Sequence, residues 1–147
     1  MKKLFVATSF SGQVDYVTGH VKSEFRKSIE AILESLRVIG GFTVFCAIEH
    51  EGWVISNDPP EVGVAKDLEE IDASDGVLAI LHDAPSAGVQ YEMGYANGQN
   101  KQVFAATPAE EKLAYFNQGL VNLGNIIHIS YENHELLAEQ LKRQFEA

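Results

Sequence analysis

The sequence predicts an α/β fold, a single-domain doubly wound parallel sheet of five strands with helices on both faces, flavodoxin-like or Rossmann-like. Strand-like apolar runs alternate with helix-like stretches along all 147 residues. The run 76–81 is apolar without interruption, which is typical of a strand buried on both faces. Such alternation builds parallel sheets covered by helices, and the length suits one domain over residues 1–147.

Each predicted element rests on a local pattern. Short apolar runs predict strands at residues 4–7, 42–48, 76–81, 102–106 and 126–129. Apolar residues at steps of three and four predict a first helix within residues 16–39, which Gly40 and Gly41 end. Further helices are expected at 61–73, from 87 or 88 onward, and at the C-terminus. Residues 49–60 are predicted to form a loop, and 107–124 a short helix with a loop.

Composition and motifs argue against several classes of protein. The formal net charge is −10, with 21 acidic and 11 basic residues and no basic stripe, so polymeric nucleic acid is a poor partner. The single cysteine, Cys46, lies in an apolar run and is interpreted as a buried inert thiol. The histidines lack metal-binding spacing, and no dinucleotide or P-loop motif occurs, so we expect neither metal nor cofactor.

The N-terminus passes directly into the first predicted strand, without the apolar segment and cleavage site of a secretory signal. No apolar run is long enough to span a bilayer, so we expect no membrane association. A cytoplasmic location is therefore predicted.

Candidate ligand-binding residues follow from the expected sheet. Such folds bind ligands beyond the carboxyl ends of their strands, near the switch in strand order. This rule selects the turns at residues 8–12, 49–60 and 82–88. In the third turn, Ser86 is placed to cap the following helix by accepting a hydrogen bond from an early backbone N–H.

Glu92 is the candidate catalytic residue of that helix. It comes six residues after Ser86, too far along to take part in the cap. Gly88 and Ala96 lie four residues to either side, and these small neighbours leave room for a ligand beside the carboxylate. A solvated helix carboxylate is the alternative. Mostly apolar neighbours and the nearby strand edge favour a functional role.

Three segments resemble the nucleoside 2-deoxyribosyltransferase family: PSAGVQYEMGYA, which contains Glu92, the preceding DLEEIDASDGVLAIL, and the opening VATSFSG. The likeness is closest to the branch that hydrolyses 2′-deoxynucleoside 5′-monophosphates. It implies that Glu92 attacks the anomeric carbon to give a glycosyl-enzyme ester, which water or a free base resolves. We expect the positive end of its own helix to help keep Glu92 ionised.

The same resemblance implies that Asp67 orients the nucleophile and sugar, or helps to protonate the leaving base. The alternative is a surface acid in the acidic run 67–70. Asp75 is interpreted as a helix-to-strand cap rather than a catalytic group.

Ser86 bears on the choice of substrate. By the family resemblance, this position corresponds to an aspartate in the transferases that act on unphosphorylated nucleosides, where it contacts a hydroxyl of the sugar. A serine followed by Gly88 at a helix N-terminus instead offers donors to a phosphate. Ser9, Ser11 and Gly12 are candidates to complete the phosphate site, with ordinary turn chemistry as the alternative.

The first loop departs from the monophosphate branch, which carries an arginine there, because residues 9–13 contain none. Phe10, in this loop, is expected either to stack on the base or to pack. Residues 115–118 occupy the region that in the family reaches into a neighbouring subunit's site. On the resemblance we expect Asn117 to contribute to substrate binding, and the chain to form a homodimer or larger homo-oligomer.

The leading hypothesis is an N-glycosidase that hydrolyses a (deoxy)nucleoside 5′-monophosphate through a covalent glycosyl–Glu92 intermediate. One alternative is a nucleoside 2-deoxyribosyltransferase that exchanges bases between deoxynucleosides. The other is a nucleotide-binding sensor without turnover.

Overall fold

The computed structural model describes residues 2–82 and 86–146. Strands and helices alternate throughout this part of the chain. The strands are β1 Lys3–Thr8, β2 Thr43–Cys46, β3 Gly76–Ile80, β4 Gln102–Pro108 and β5 Ile127–Tyr131. The helices are α1 Ser23–Val38, α2 Ala47–His50, α3 Pro60–Asp72, α4 Ala87–Gly98, α5 Tyr115–Asn122 and α6 His134–Glu146.

The strands form one parallel sheet in the order β2-β1-β3-β4-β5, which confirms the predicted fold class. From β1 the chain builds outward to β2 and then returns to place β3 on the other side of β1. Thr8 pairs with Ile80, so β1 and β3 end at the same edge. Sheets with this order bind ligands in the crevice beyond these two strands.

Two apolar cores, one on each face of the sheet, hold the helices in place. Side chains of β1 alternate between the cores, because successive residues of a strand point to opposite faces. Leu4 and Val6 pack in the core that contains α1 and α6, whereas Phe5 and Ala7 pack in the core that contains α3 and α4. All residues of β3 are buried, as its uninterrupted apolar run predicts.

The first helix is shorter than the sequence predicts. It begins at Ser23 rather than near residue 16, because the preceding residues fold back on themselves. The Asp15 N–H donates to the His20 carbonyl at 2.9 Å, and Gly19, with a φ of +76°, permits the turn.

The second strand is also shorter than predicted. It ends at Cys46, and the single-turn helix α2 replaces its last two predicted residues. As a result Ala7 and Thr8 of β1 extend beyond the pairing with β2, which ends at Val6. The predicted turn at 82–88 falls partly on residues 83–85, which lie outside the described residues.

Cys46 is only 2% exposed, and this burial raises the pKa of its thiol to about 12. Since the thiolate is the reactive form, the interpretation of Cys46 as an inert thiol agrees with its surroundings. Within residues 2–82 and 86–146, no helix is long and apolar enough to cross a membrane.

Gly76→Ala should destabilise the fold, because a Cβ there would lie 2.7 Å from the Phe145 ring and 3.0 Å from the Gln102 carbonyl oxygen. We expect the free energy of unfolding, measured by urea denaturation, to fall by roughly 1–3 kcal/mol. Gly98→Ala is the control, because a Cβ at Gly98 would meet no atom within 4 Å. Equal losses in the two variants would contradict the packing argument.

Candidate active site

Helix α4 positions Glu92. Ser86 caps the helix as predicted, its hydroxyl accepting a hydrogen bond from the Val89 N–H at 3.3 Å. The helix buries Val89, Met93 and Ala96 against the sheet. Glu92 shares a helical face with Val89 and Ala96, since residues three and four apart are neighbours, and its side chain is half-buried.

Helix α3 brings Asp67 to the same place. Pro60 begins this helix, and Asp72 near its end binds α4. The Tyr95 hydroxyl donates to Asp72 Oδ1 at 2.8 Å, and Gln99 Nε2 donates to the same oxygen at 2.9 Å. With the two helices fixed side by side, the carboxyl groups of Asp67 and Glu92 form a hydrogen bond with each other.

The two carboxyl groups line one small cavity of about 50 Å³ at the carboxyl ends of β1 and β2. Thr8 at the end of β1 and Cys46 at the end of β2 also line it. The structure thus brings together the two residues that the family resemblance singled out as catalytic.

Burial is the main cause of an unusual protonation state at Glu92. Burial and the neighbouring charge of Asp67 raise the pKa of Glu92 to about 8. Burial also raises the pKa of Asp67, although its hydrogen bond with Glu92 opposes that shift. Two carboxyl groups in contact repel each other when both are ionised, so at neutral pH the pair holds a shared proton.

The expectation that the helix N-terminus keeps Glu92 ionised is therefore wrong for the unliganded chain. Glu92 is the sixth residue of α4, and the helix dipole acts mainly within the first turn. Burial and the contact with Asp67 outweigh it.

A larger cavity of about 330 Å³ adjoins the small one, because Phe10, Asp67, Ala47 and Ile48 line both. Phe10 and Phe45 give this larger cavity aromatic walls. Its size and apolar lining suit a flat heterocyclic ring.

Sequence reasoning missed most of the polar residues of the larger cavity, which are Glu51, Ser56, Asp58 and Lys66. The predicted loop at 49–60 contains the first three of these residues, whereas Lys66 lies on α3. His50, in the same stretch of chain, also lines this cavity. Trp53 is instead buried in the core beside α1.

The other predicted binding residues lie around the switch in strand order. Ser86 and Gly88 begin α4, so Ser86 lies roughly 9 Å along the helix axis from Glu92. A Cβ at Gly88 would meet only the Ser86 hydroxyl, at 3.8 Å, so packing within the described residues does not require a glycine there. This leaves the start of the helix open to a ligand.

The first loop follows β1 directly. Ser9 is half-buried, and the backbone of Ser11, Gly12 and Gln13 forms a single 3-10 turn. A Cβ at Gly12 would meet no atom within 4 Å, so the backbone there is accessible. The side chain of Ser11 lies outside the described part of the structure.

Asn117 and Asp75 lie away from the carboxyl pair. Asn117 on α5 is 1% exposed, and its Nδ2 donates to Gln90 Oε1 at 2.8 Å. Neither of the two cavities described above includes it. Asp75 accepts a hydrogen bond from the Lys3 N–H at 2.7 Å, at the start of β1 and β3 and thus at the opposite edge of the sheet.

Comparison with known proteins identifies the family of the chain. Residues 23–141 match the family model described as nucleoside 2-deoxyribosyltransferase. The match spans most of the sequence, and the chain therefore belongs to the nucleoside 2-deoxyribosyltransferase family, a class of enzymes that act on the bond between base and sugar. A comparison with curated proteins finds no match.

Several solved structures share the fold. A CMP N-glycosidase of Clostridium botulinum, BcmB, is 20% identical, with a TM-score of 0.66 over 97% of this chain and 99% of that one. The 2-deoxyribosyltransferase of Bacillus psychrosaccharolyticus is 18% identical, with a TM-score of 0.62 over 92% and 90%. The protein BlsM is 25% identical, with a TM-score of 0.73 over 96% and 87%.

The buried carboxyl pair should make stability depend on pH. The folded-state pKa of Glu92, about 8, lies above its ordinary value of 4.5, so the folded chain binds this proton more tightly than the unfolded chain. The resulting stabilisation is fully present below about pH 4.5 and is lost as pH rises to about 8. As pH rises over this range, the free energy of unfolding of Glu92→Gln, measured by urea denaturation, should increase relative to that of the wild type by roughly 2–4 kcal/mol. A difference that does not vary with pH would contradict the raised pKa.

Proposed function

We propose that the chain is an N-glycosidase that hydrolyses a (deoxy)nucleoside 5′-monophosphate to a free base and a sugar 5′-phosphate. The observation that carries this proposal is the contact between Asp67 and Glu92 in a cavity that adjoins an aromatic one. A nucleophile and an acid in contact, next to a site for a flat ring, are the groups that N-glycosidic cleavage requires.

The first step forms a bond between a Glu92 carboxylate oxygen and the anomeric carbon C1′, as the bond from C1′ to the base nitrogen breaks. The electron pair of that bond leaves with the base. Asp67 donates the shared proton to the base, so the base departs as a neutral molecule. For this step the proton must move from Glu92 to Asp67 when substrate binds.

The second step consumes the glycosyl–Glu92 ester. A water oxygen bonds to C1′, and the bond between C1′ and the Glu92 oxygen breaks. The Asp67 carboxylate takes the proton that the water releases. Both carboxyl groups then regain their starting charges, and the sugar 5′-phosphate leaves.

A monophosphate substrate is supported by the start of α4. The Ser86 hydroxyl and the free N–H groups of the first helical turn can donate hydrogen bonds to phosphate oxygens. No acidic residue lies in this first turn to repel an anion. These features favour a phosphorylated substrate over a free nucleoside.

Base exchange is the second candidate function, and the size of the aromatic cavity favours it. A site of about 330 Å³ can hold a free base beside the glycosyl–Glu92 ester, and that base can take the place of water as acceptor. The chain would then act as a nucleoside 2-deoxyribosyltransferase.

Chromatography of reactions with the common ribonucleotides, deoxyribonucleotides and their nucleosides, each with and without a second free base, tests the proposal. We expect base release from monophosphates, and a loss of at least about 10³-fold in kcat for Glu92→Gln. The exposed Glu69 of α3 provides the control variant, Glu69→Gln, which should retain activity.

The other outcomes of this screen are equally definite. Product formed only when a second base is present identifies the transferase. Calorimetric binding of nucleotide without product identifies a sensor. Full activity in Glu92→Gln would remove Glu92 from the role of nucleophile.

The pH dependence of kcat/KM tests the shared proton. The value should fall as pH rises above about 8, because the pair then loses the proton that Asp67 gives to the base. Asp67→Asn should lower kcat by about 10²–10⁴-fold and abolish this decline, in initial rates measured across the pH range. A decline at high pH that persists in Asp67→Asn would contradict the assignment of the acid.

A further inference from the structure

Within the described residues, three of the four buried side-chain atoms without a hydrogen-bond partner lie at the switch in strand order, and the fourth, Asn117 Oδ1, lies on α5. Thr8 Oγ1 and both ring nitrogens of His82 are buried and have no hydrogen-bond partner in the structure. Leaving a buried donor or acceptor unpaired costs about 1–3 kcal/mol, and natural chains keep few such groups without a functional reason. Three unpaired atoms on two neighbouring side chains therefore indicate a site for a ligand.

Strand pairing places these two side chains on one face at the switch point. Thr8 pairs with Ile80, and His82 follows Ile80 by two residues, so all three side chains are expected on the same face. Ile80 packs in the core that contains α1. The His82 ring lies 5.0 Å from the ring of Phe25 on α1, which agrees with this placement.

Glu92 approaches the same edge from the opposite face. Its helix, α4, packs in the other core, and Glu92 and Thr8 both line the cavity of about 50 Å³. A sugar held at this cavity therefore has Glu92 on one side and Thr8 on the other, and His82 packs against α1 on the same face of the sheet as Thr8.

The stereochemistry of a nucleotide then decides which group meets Thr8 and His82. In a β-nucleotide, the base and the 5′ carbon project from the same face of the sugar ring. A nucleophile that displaces the base attacks from the opposite face. The 5′-phosphate consequently lies across the sugar from Glu92, on the side of α1.

We infer that Thr8 and His82 bind the 5′-phosphate of the substrate, an inference that rests on the proposed N-glycosidase function. Their hydroxyl and imidazole N–H groups can donate hydrogen bonds to phosphate oxygens. Such donors are needed because residues 9–13 of the first loop contain neither Lys nor Arg. Because the three atoms are closed to solvent, side chains at this edge must move to admit the phosphate.

Two variants test this inference by removing the polar atoms and keeping the shapes. Thr8→Val and His82→Phe should each lower the ratio of kcat/KM for a nucleoside 5′-monophosphate to kcat/KM for the corresponding nucleoside by about 10-fold or more. Both variants should also melt at a higher temperature than the wild type without ligand, because an unpaired buried group is gone. His128→Gln, on β5, removes an imidazole elsewhere and should not change the ratio of the two kcat/KM values.

A binding experiment separates this inference from the proposed reaction. Thr8→Val and His82→Phe are each added to the Glu92→Gln variant, and binding of ribose 5-phosphate, ribose and inorganic phosphate is measured by calorimetry. Each added substitution should weaken the binding of ribose 5-phosphate and of inorganic phosphate. A wild type that binds ribose 5-phosphate but releases no base would overturn the N-glycosidase function alone. Three results would overturn the phosphate site. The Glu92→Gln variant could fail to bind either phosphate, the added substitutions could leave phosphate binding unchanged, or they could weaken the binding of ribose and ribose 5-phosphate equally. Equal losses would indicate that the two residues hold a buried water instead.

Discussion

The hydrogen bond between the Asp67 and Glu92 carboxyl groups is the interaction on which the site depends. It exists because Tyr95 and Gln99 tie α4 to Asp72 at the end of α3, which fixes the two helices side by side on one face of the sheet. Burial makes the ionised pair costly, and so the chain keeps a proton between the two groups. In the proposed mechanism the same proton supplies the acid that departure of a base requires, so the energetic cost of burial and the proposed chemistry have one origin.

Much of the fold follows from local patterns in the sequence. The uninterrupted apolar run of β3 and the spaced apolar residues of α1 are strong signals, because each depends only on which face of one element is buried. The start of α1 was predicted too early, since Val21 also fits helical spacing although it pairs with Val14 in an isolated bridge. That pairing depends on contacts between turns, which periodicity does not encode.

The site was predictable in part. Local capping rules predicted the position of Ser86, and Glu92 was predicted from its place beyond the cap. Asp67 was identified only through the family resemblance. The protonation of Glu92 could not be predicted, because it is set by burial against a residue 25 positions earlier in the chain. The rule for strand ends selected the turns that begin at Thr8 and His82, but nothing in the sequence singled out these two residues, since an unpaired atom is recognised only when all neighbours in space are known.

Cys46 lines the small cavity yet keeps a protonated thiol, because burial raises its pKa to about 12. Maleimides and iodoacetamide react with thiolates, so the native chain offers them almost no target near neutral pH. It is also the chain's single cysteine. A cysteine introduced on the exposed surface would thus carry a fluorophore or spin label at one defined position, and the small cavity would not need to be altered to remove a competing thiol.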